Sequence, residues 1–352
     1  MPWRSPLGTS ARALCRDNGD ERGERDVDEQ RTTAPVIWIG YQKVNLAAHP
    51  HPELVAPVRV RRGAFGPNLP RRDLVMSPDH SVLVDGKLVV CRMLINHMTI
   101  TQEFDAKYVE YYHVELAKHA ILLAEGLPAE SYLDTGNRAM FANAGLAVVL
   151  HPDFGINHGL KTWEEDAGAP LLTDAARVEP LWRRFAQRAE AMGYAAPHHE
   201  TTTDADMHLM VDGRRLQPVS VQNGRHVFVL PRRYSAIRLM SRAIAPTDLA
   251  PYQDDRRRLG VAVGRIILRS ATDLSEVPVD HPMLSQGWHG VECKGTEMYR
   301  WTDGDADLPI TCGNEGGPVT LEVRADCCAL YRLDEPGPEC LPAQQRELRL
   351  VA

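Results

Sequence analysis

The chain has 352 residues, of which 43% are apolar and 25% charged, proportions that are ordinary for a globular protein of two or three domains. Its formal net charge of −7 gives none of the basic excess that attracts nucleic acid, so we expect no nucleic-acid partner. No apolar run approaches the roughly 18 residues that cross a bilayer, and we expect no membrane span.

The cysteine pattern does not decide the cellular compartment. The seven cysteines are Cys15, Cys91, Cys293, Cys312, Cys327, Cys328 and Cys340. They form no C-x-x-C pair and no metal-ligand spacing, so we expect them to be reduced. The first residues contain no continuous apolar segment of the kind found in a secretory signal. These features suit a cytoplasmic protein or one secreted without a signal peptide.

Residues 1–33 differ in character from the rest of the chain. They are dense in Arg, Asp, Glu and Gly and show almost no apolar periodicity. Such a segment buries too little apolar surface to offset the entropy lost on ordering. We predict a disordered N-terminus.

Residues 34–137 predict a compact all-β domain. Short apolar runs alternate with clusters of Pro, Gly and Asp, and Tyr111 and His113 share one face of a period-2 segment. Asp85 and Gly86, between two apolar runs, predict a tight hairpin, because a type I′ turn needs positive φ at both central residues.

Residues 138–204 predict a short helical linker. The helix has Thr173 or Asp174 as its N-cap and ends at Gly193, and Pro180 suggests that its first turn begins later than the cap implies. The apolar side chains expected on one face are Val178, Leu181, Trp182, Phe185, Ala189 and Met192.

Residues 205–335 predict a second β domain, resembling a β-sandwich, and residues 336–352 a peripheral tail. Hairpins are indicated at Asp212-Gly213 and Asn223-Gly224, with further strands up to Val323. The predicted fold class is therefore mainly β.

Histidines are concentrated in the first β region, at His49, His51, His80, His97, His113 and His119. Their spacings match no zinc-binding motif and no thiolate pattern accompanies them, so we expect no metal. The chain has no glycine-rich phosphate loop and no Gly-x-Ser-x-Gly elbow. We therefore expect no cofactor, no nucleotide chemistry and no α/β-hydrolase.

Two stretches of the first β region give a more specific indication. They read SPDHSVLVDGKLV from Ser77 and YYHVELAKHAILLAEGLPAESY from Tyr111. Together with VIWIGYQKV from Val36, they resemble the Hint domain shared by hedgehog proteins and inteins, and in particular bacterial Hint-domain proteins. The 205–335 region resembles the companion β domain of those proteins, which has no assigned role.

The resemblance implies self-processing by an N-to-S acyl shift, with the chain as its own substrate and at most one turnover. In the family a Thr-x-x-His block supplies a hydroxyl and an imidazole, and Ser77 and His80 occupy those places here. Imidazole suits the role because its ordinary pKa lies near neutrality. His119 matches a downstream block in which a polar residue assists later steps.

The sequence departs from the family at its nucleophile. The domain should open with a cysteine and a Gly-Thr turn, but Cys15 has no matching context and Cys91 alternates like a core residue. We expect residues 1–33 to be foreign to the fold, from a frameshift or a misassigned start, with upstream DNA in another frame encoding the missing block. We therefore expect a truncated or inactive module. Residues 134–138 lack the His-Asn and following nucleophile that splicing needs.

The alternative is a non-catalytic protein that binds a carbohydrate or a protein through its C-terminal β domain. Trp288 and Trp301, beside His289 and Tyr299, could offer aromatic faces to such a ligand. The simpler interpretation, which we favour, is that both tryptophans belong to the core.

Overall fold

The computed structural model describes residues 12–16, 31–144, 161–270, 272–310 and 319–333. It contains two compact units, the first comprising residues 1–197 and 251–254 and the second comprising residues 198–250 and 255–352. The protein is mainly β, as predicted. No helix in the described part of the chain is long and apolar enough to cross a membrane.

The first unit is built on antiparallel strands. They are β1 Arg12–Arg16, β2 Arg31–Asn45, β3 Val58–Val60, β4 Leu74–Met76, β5 Ser81–Val84, β6 Lys87–Val90, β7 Ile100–Gln102, β8 Tyr108–Leu116, β9 Ile121–Ala124, β10 Leu127–Glu130 and β11 Leu171–Leu172. The large sheet has the order β11-β6-β5-β10-β9-β1-β2-β8, and a small sheet has the order β4-β3-β7. Only β11 and β6, among the described pairs of this unit, run parallel.

The predicted helix is α2, Ala175–Ala191, which follows the short helix α1, Trp163–Asp166. Asp174 is the N-cap, since its side chain accepts a hydrogen bond from the Ala176 N–H at 3.0 Å. Pro180 lies inside the helix, so the expected later start is wrong. Gly193, with a φ of 91°, donates its N–H to the Glu190 carbonyl and ends the helix.

The predicted linker is instead part of the first unit. Val178 and Phe185 of α2 are buried in the same apolar cluster as Val82 and Leu94. β11 extends the large sheet by pairing with β6. The amphipathic face of α2 therefore has its partner within the unit, and residues 138–197 belong to that unit.

Two short parts of the N-terminus predicted to be disordered lie in paired strands, whereas residues 1–11 and 17–30 lie outside the described residues. β1 pairs with both β2 and β9, and β2 begins at Arg31, before the expected domain boundary at residue 34. Backbone hydrogen bonds to two neighbouring strands hold β1 in the sheet despite the charged composition of the sequence around it. The predicted tail, residues 336–352, lies outside the described residues.

The second unit contains two larger sheets. Its strands are β12 Thr201–Thr202, β13 His208–Val211, β14 Arg214–Leu216, β15 Ser220–Gln222, β16 Arg225–Leu230, β17 Ile237–Met240, β18 Val261–Arg269, β19 Leu274–Val277, β20 Trp288–Lys294, β21 Glu297–Thr302, β22 Asp305–Leu308, β23 Val319–Cys328 and β24 Tyr331–Arg332. One sheet has the order β14-β13-β17-β22 and the other β15-β16-β23-β18-β21-β20, with β19 beside β18. Side chains from both, including Leu209, Phe228, Val263 and Leu321, form one core.

Trp288 belongs to that core. It is 8% exposed, and its indole N–H donates to the Asp307 carbonyl at 2.7 Å. Trp301 is half-buried. Trp288 therefore offers no open aromatic face to a ligand.

The three predicted hairpin turns are present. Asp85-Gly86, Asp212-Gly213 and Asn223-Gly224 have positive φ at both residues, as a type I′ turn requires. A fourth turn of this kind, Glu125-Gly126, joins β9 to β10 and brings two strands of the site together.

Candidate functional site

The Ser77–His80 turn lies between β4 and β5. The His80 N–H donates to the Ser77 carbonyl at 3.2 Å and closes the turn. A short 3-10 helix, Cys91–Leu94, follows β6 and binds the other side of the turn. Its Cys91 N–H donates to the His80 carbonyl at 2.8 Å. The hairpin that follows His80 therefore returns the chain to hold His80 in place.

Arg92 strengthens this attachment. Its N–H donates to the Pro78 carbonyl at 3.0 Å, and its guanidinium pairs with the carboxylates of Asp79 and Asp254. The Asp254 contact is 3.1 Å long. The turn thus has fixed main-chain contacts on both sides, which orient the His80 ring.

The His80 ring lies among other polar side chains of the first unit. Its centroid lies 5.5 Å from that of His113 on β8, and the main chain of Glu130 lies nearby. Burial, followed by the electrostatic effect of His113, lowers the pKa of His80 to about 3. His80 is therefore neutral at pH 7.

His113 is enclosed by aromatic rings. Its centroid lies 5.1 Å from Phe141 and 6.0 Å from Tyr132, both in edge-on geometry. Burial lowers the pKa of His113 below its ordinary value. Gly40, opposite His113 on β2, leaves room for this cluster, since a Cβ there would lie 2.8 Å from the Phe141 ring.

His119 lies in the loop between β8 and β9 and is buried. Its Nδ1 accepts a hydrogen bond from the Gly168 N–H at 2.8 Å, and the Trp163 ring packs edge-on against it at 5.6 Å. Burial lowers the pKa of His119, while the nearby Ser131 carbonyl opposes this effect. The ring is therefore neutral at pH 7, with its proton on Nε2 because Nδ1 is the acceptor.

Glu130, at the end of β10, lies between the two predicted histidines. Its Oε1 accepts the Ser81 N–H at 2.8 Å, and its Oε2 faces His119 Nε2 at 4.0 Å. Burial raises the pKa of this carboxyl to about 7, although the hydrogen bonds from Ser81 oppose the shift. Neither Oε2 nor His119 Nε2 has a hydrogen-bond partner among the described residues.

The structure brings two of the three predicted site residues to one place. His80 contacts the Glu130 main chain, and His119 faces the carboxyl of the same residue. Ser77 lies at the opposite end of the turn, half-buried, and its hydroxyl makes no hydrogen bond in the described part of the chain. Its role stays a prediction.

Sequence reasoning missed Glu130 and set His113 aside. The period-2 alternation put His113 on the same face of its strand as Tyr111, which is buried, and this pattern could have identified His113 as a buried residue. For Glu130 the local pattern offered none, since its burial depends on strands that are distant in the chain.

Cys91, whose main chain is bonded to His80, is poorly suited to act as a nucleophile. Cys91 is fully buried, as expected, and burial raises the pKa of its thiol to about 12. The β1 main chain places Cys15 opposite Leu122 of β9, in the row next to that of Glu130. The described residues contain no cluster of three or more His, Cys, Asp or Glu arranged to hold a metal.

Comparison with known families identifies the first β region. Residues 21–136 match the family model of the Hint domain, starting before the predicted boundary at residue 34. No curated protein and no solved structure matches the chain. The match includes the Ser77–His80 turn, His113, His119 and Glu130. Residues 21–136 are therefore a Hint domain, related to the self-processing modules of that family.

Proposed function

We propose that the first unit is the proton-handling part of an N-to-S acyl-shift centre, and that it does not cleave as it stands because Cys15 lacks the sequence context of the family's nucleophile. The observation that carries the proposal is the position of His80. The turn is held by main-chain hydrogen bonds on both sides, and it places a neutral imidazole beside His113.

The acyl shift requires two proton transfers, one from the thiol and one to the amide nitrogen, so that no proton is gained or lost overall. A thiol sulfur attacks the carbonyl carbon of the preceding residue, the C–N bond breaks, and a thioester forms. The thiol loses one proton and the departing amide nitrogen gains one. A neutral imidazole has one nitrogen without hydrogen, and in His80, which is neutral at pH 7, that nitrogen can accept the thiol proton.

The test restores the nucleophile. A reporter protein followed by a Cys-Gly-Thr block replaces residues 1–11, ahead of β1, so that β1 and β2 stay intact, and thiol-induced release of the reporter is followed by mass spectrometry. We expect release, and we expect His80→Ala to slow it by on the order of 10²-fold. His51→Ala, which removes an exposed loop histidine, serves as the matched control.

Two results would contradict the proposal. Release that continues at the same rate in His80→Ala removes the role of His80. Release by the unmodified chain that disappears in Cys15→Ser means that the nucleophile is already present. A binding role for the second unit stays a prediction, and the burial of Trp288 gives it no support.

A further inference from the structure

The strongest unexplained feature of the first unit is a pair of buried polar atoms that face each other without a hydrogen bond. They are His119 Nε2 and Glu130 Oε2, 4.0 Å apart, on side chains that are 0% and 9% exposed. A buried donor or acceptor left unpaired destabilises the fold, because it has lost its hydrogen bonds to water without replacing them. Such a pair is retained where the groups have a further use, or where a third polar group joins them.

A segment outside the Hint match sets the geometry of this pair. Residues 161–172, here called the crossing segment, pass over His119 and are anchored by the Leu88 N–H, which donates to the Pro170 carbonyl at 2.9 Å. Their Trp163 packs on the His119 ring, and their Gly168 N–H occupies Nδ1. The match itself ends at residue 136.

Position 168 requires glycine. A Cβ at this residue would lie 2.8 Å from the His119 carbonyl oxygen and 3.3 Å from the Ala120 Cα, closer than a side chain can approach a main chain. Only a residue without a side chain brings its amide within 2.8 Å of His119 Nδ1. The contact fixes the tautomer, because a nitrogen that accepts a hydrogen bond cannot hold the proton.

We propose that Gly168 is a positioning residue of the site: its main-chain amide holds His119 as the Nε2–H tautomer, aimed at the Glu130 carboxyl, and the two side chains form a couple that holds one exchangeable proton. The link to the acyl shift rests on the function proposed above. There, the amide nitrogen takes up one proton and the thiol releases one, so the couple returns to its starting state.

The surrounding charges suit a proton on the Glu130 carboxyl near neutral pH. Burial raises its pKa to about 7, whereas the pKa values of His119, His80 and His113 are lowered by burial. Lys161 of the crossing segment also lowers the pKa of His119, and it is itself 3.9 Å from the Glu115 carboxylate. The exchangeable proton therefore resides on Glu130 below about pH 7 and leaves it above that value.

The first test reads the tautomer directly in the full chain, without any activity. Histidine-labelled protein is examined by two-bond ¹⁵N–¹H correlation NMR, with the His119 signals assigned from their loss in His119→Gln. We expect the Nε2–H tautomer alone in the unchanged chain and a mixture of both tautomers in Gly168→Ala. Gly66→Ala is the control, since a Cβ at Gly66 meets no atom closer than 3.7 Å.

A second variant keeps the proposal testable if Gly168→Ala does not fold. In Glu130→Gln, we expect His119 to keep its tautomer, while the change in its ring signals with a midpoint near pH 7 disappears. Nδ1–H in the unchanged chain, an unaltered tautomer in a folded Gly168→Ala, or a retained midpoint in Glu130→Gln would each overturn the proposal.

The cysteine-restored reporter then separates this proposal from the one on which it rests. We expect release to slow as the pH rises through about 7, and this dependence to be lost in Glu130→Gln. If His80→Ala blocks release but Glu130→Gln leaves the pH profile unchanged, the couple has no part in the reaction and this proposal fails alone. If no variant releases the reporter, the acyl shift fails and the NMR result still decides the positioning role.

Discussion

At the scale of single residues, the site depends on how burial redistributes proton affinity. His80 loses basicity while Glu130 gains it, so the carboxyl rather than that imidazole titrates near neutrality. The sequence identified the turn that carries His80 and the loop that carries His119. It could not identify Glu130, because one acidic residue in a strand indicates nothing until the strands around it are placed.

The low pKa of His80 predicts a pH-dependent loss of stability. Its value is about 3 in the folded chain and 6.5 in the unfolded chain, so its contribution is complete above pH 6.5 and falls as the pH drops. At pH 5 the loss is about 2 kcal/mol relative to pH 7. Urea unfolding should therefore show a smaller difference between pH 7 and pH 5 in His80→Gln than in the unchanged chain.

The contribution of Glu130 to stability has the opposite pH dependence to that of His80. Glu130 is therefore left unchanged in both chains that are compared. Its raised pKa stabilises the folded chain at low pH, and this contribution is lost as the pH rises through about 7. His51→Gln, at an exposed loop position, is the control and should leave the pH dependence unchanged. An identical dependence in His80→Gln and the unchanged chain would mean that His80 does not carry the predicted contribution.

At the scale of elements, local sequence signals predicted turns and helix caps better than they predicted which elements pack against each other. The Asp85-Gly86 turn and the end of α2 at Gly193 follow from residues that accept positive φ. The position in which α2 packs does not follow from its own residues, since an amphipathic face does not specify which surface it covers. The interpretation as a linker failed for that reason. Residues 12–16 and 31–33 lie in strands because strand pairing can order a polar segment.

The place of α2 is tested by its buried aromatic residue. Phe185 is 3% exposed and its ring centroid lies 4.4 Å from that of Phe65. We expect Phe185→Ala to lower the free energy of unfolding of the first unit by about 3–5 kcal/mol, because it leaves a cavity in the core. Hydrogen exchange in peptides covering β5 and β6 measures the effect.

Gln187→Ala is the matched control, since Gln187 is exposed on the same helix. We expect its effect to stay within about 0.5 kcal/mol. If the two variants changed protection in β5 and β6 equally little, α2 would be a linker after all.

At the scale of the whole molecule, the largest apolar cores of the two units share no residue in the described part of the chain. The first unit's core includes Val82, Leu94 and Phe185, and the second unit's core includes Phe228 and Leu321. The composition and the change of pattern near residue 205 predicted two β regions. The inclusion of residues 251–254 in the first unit could not be predicted, because it depends on contacts such as that between Arg92 and Asp254.

Separate cores predict that damage to one unit is confined to it. Phe228 on β16 is fully buried, and Phe228→Ala should cost the second unit about 3–5 kcal/mol. Hydrogen exchange should then rise in peptides from residues 205–270, while peptides from residues 74–130 keep their protection. Val221→Ala, on the neighbouring strand at a position 55% exposed, is the control and should change neither set. Equal loss of protection in both sets would show that the two units unfold as one cooperative body, and that the site around Glu130 depends on the second unit for its stability.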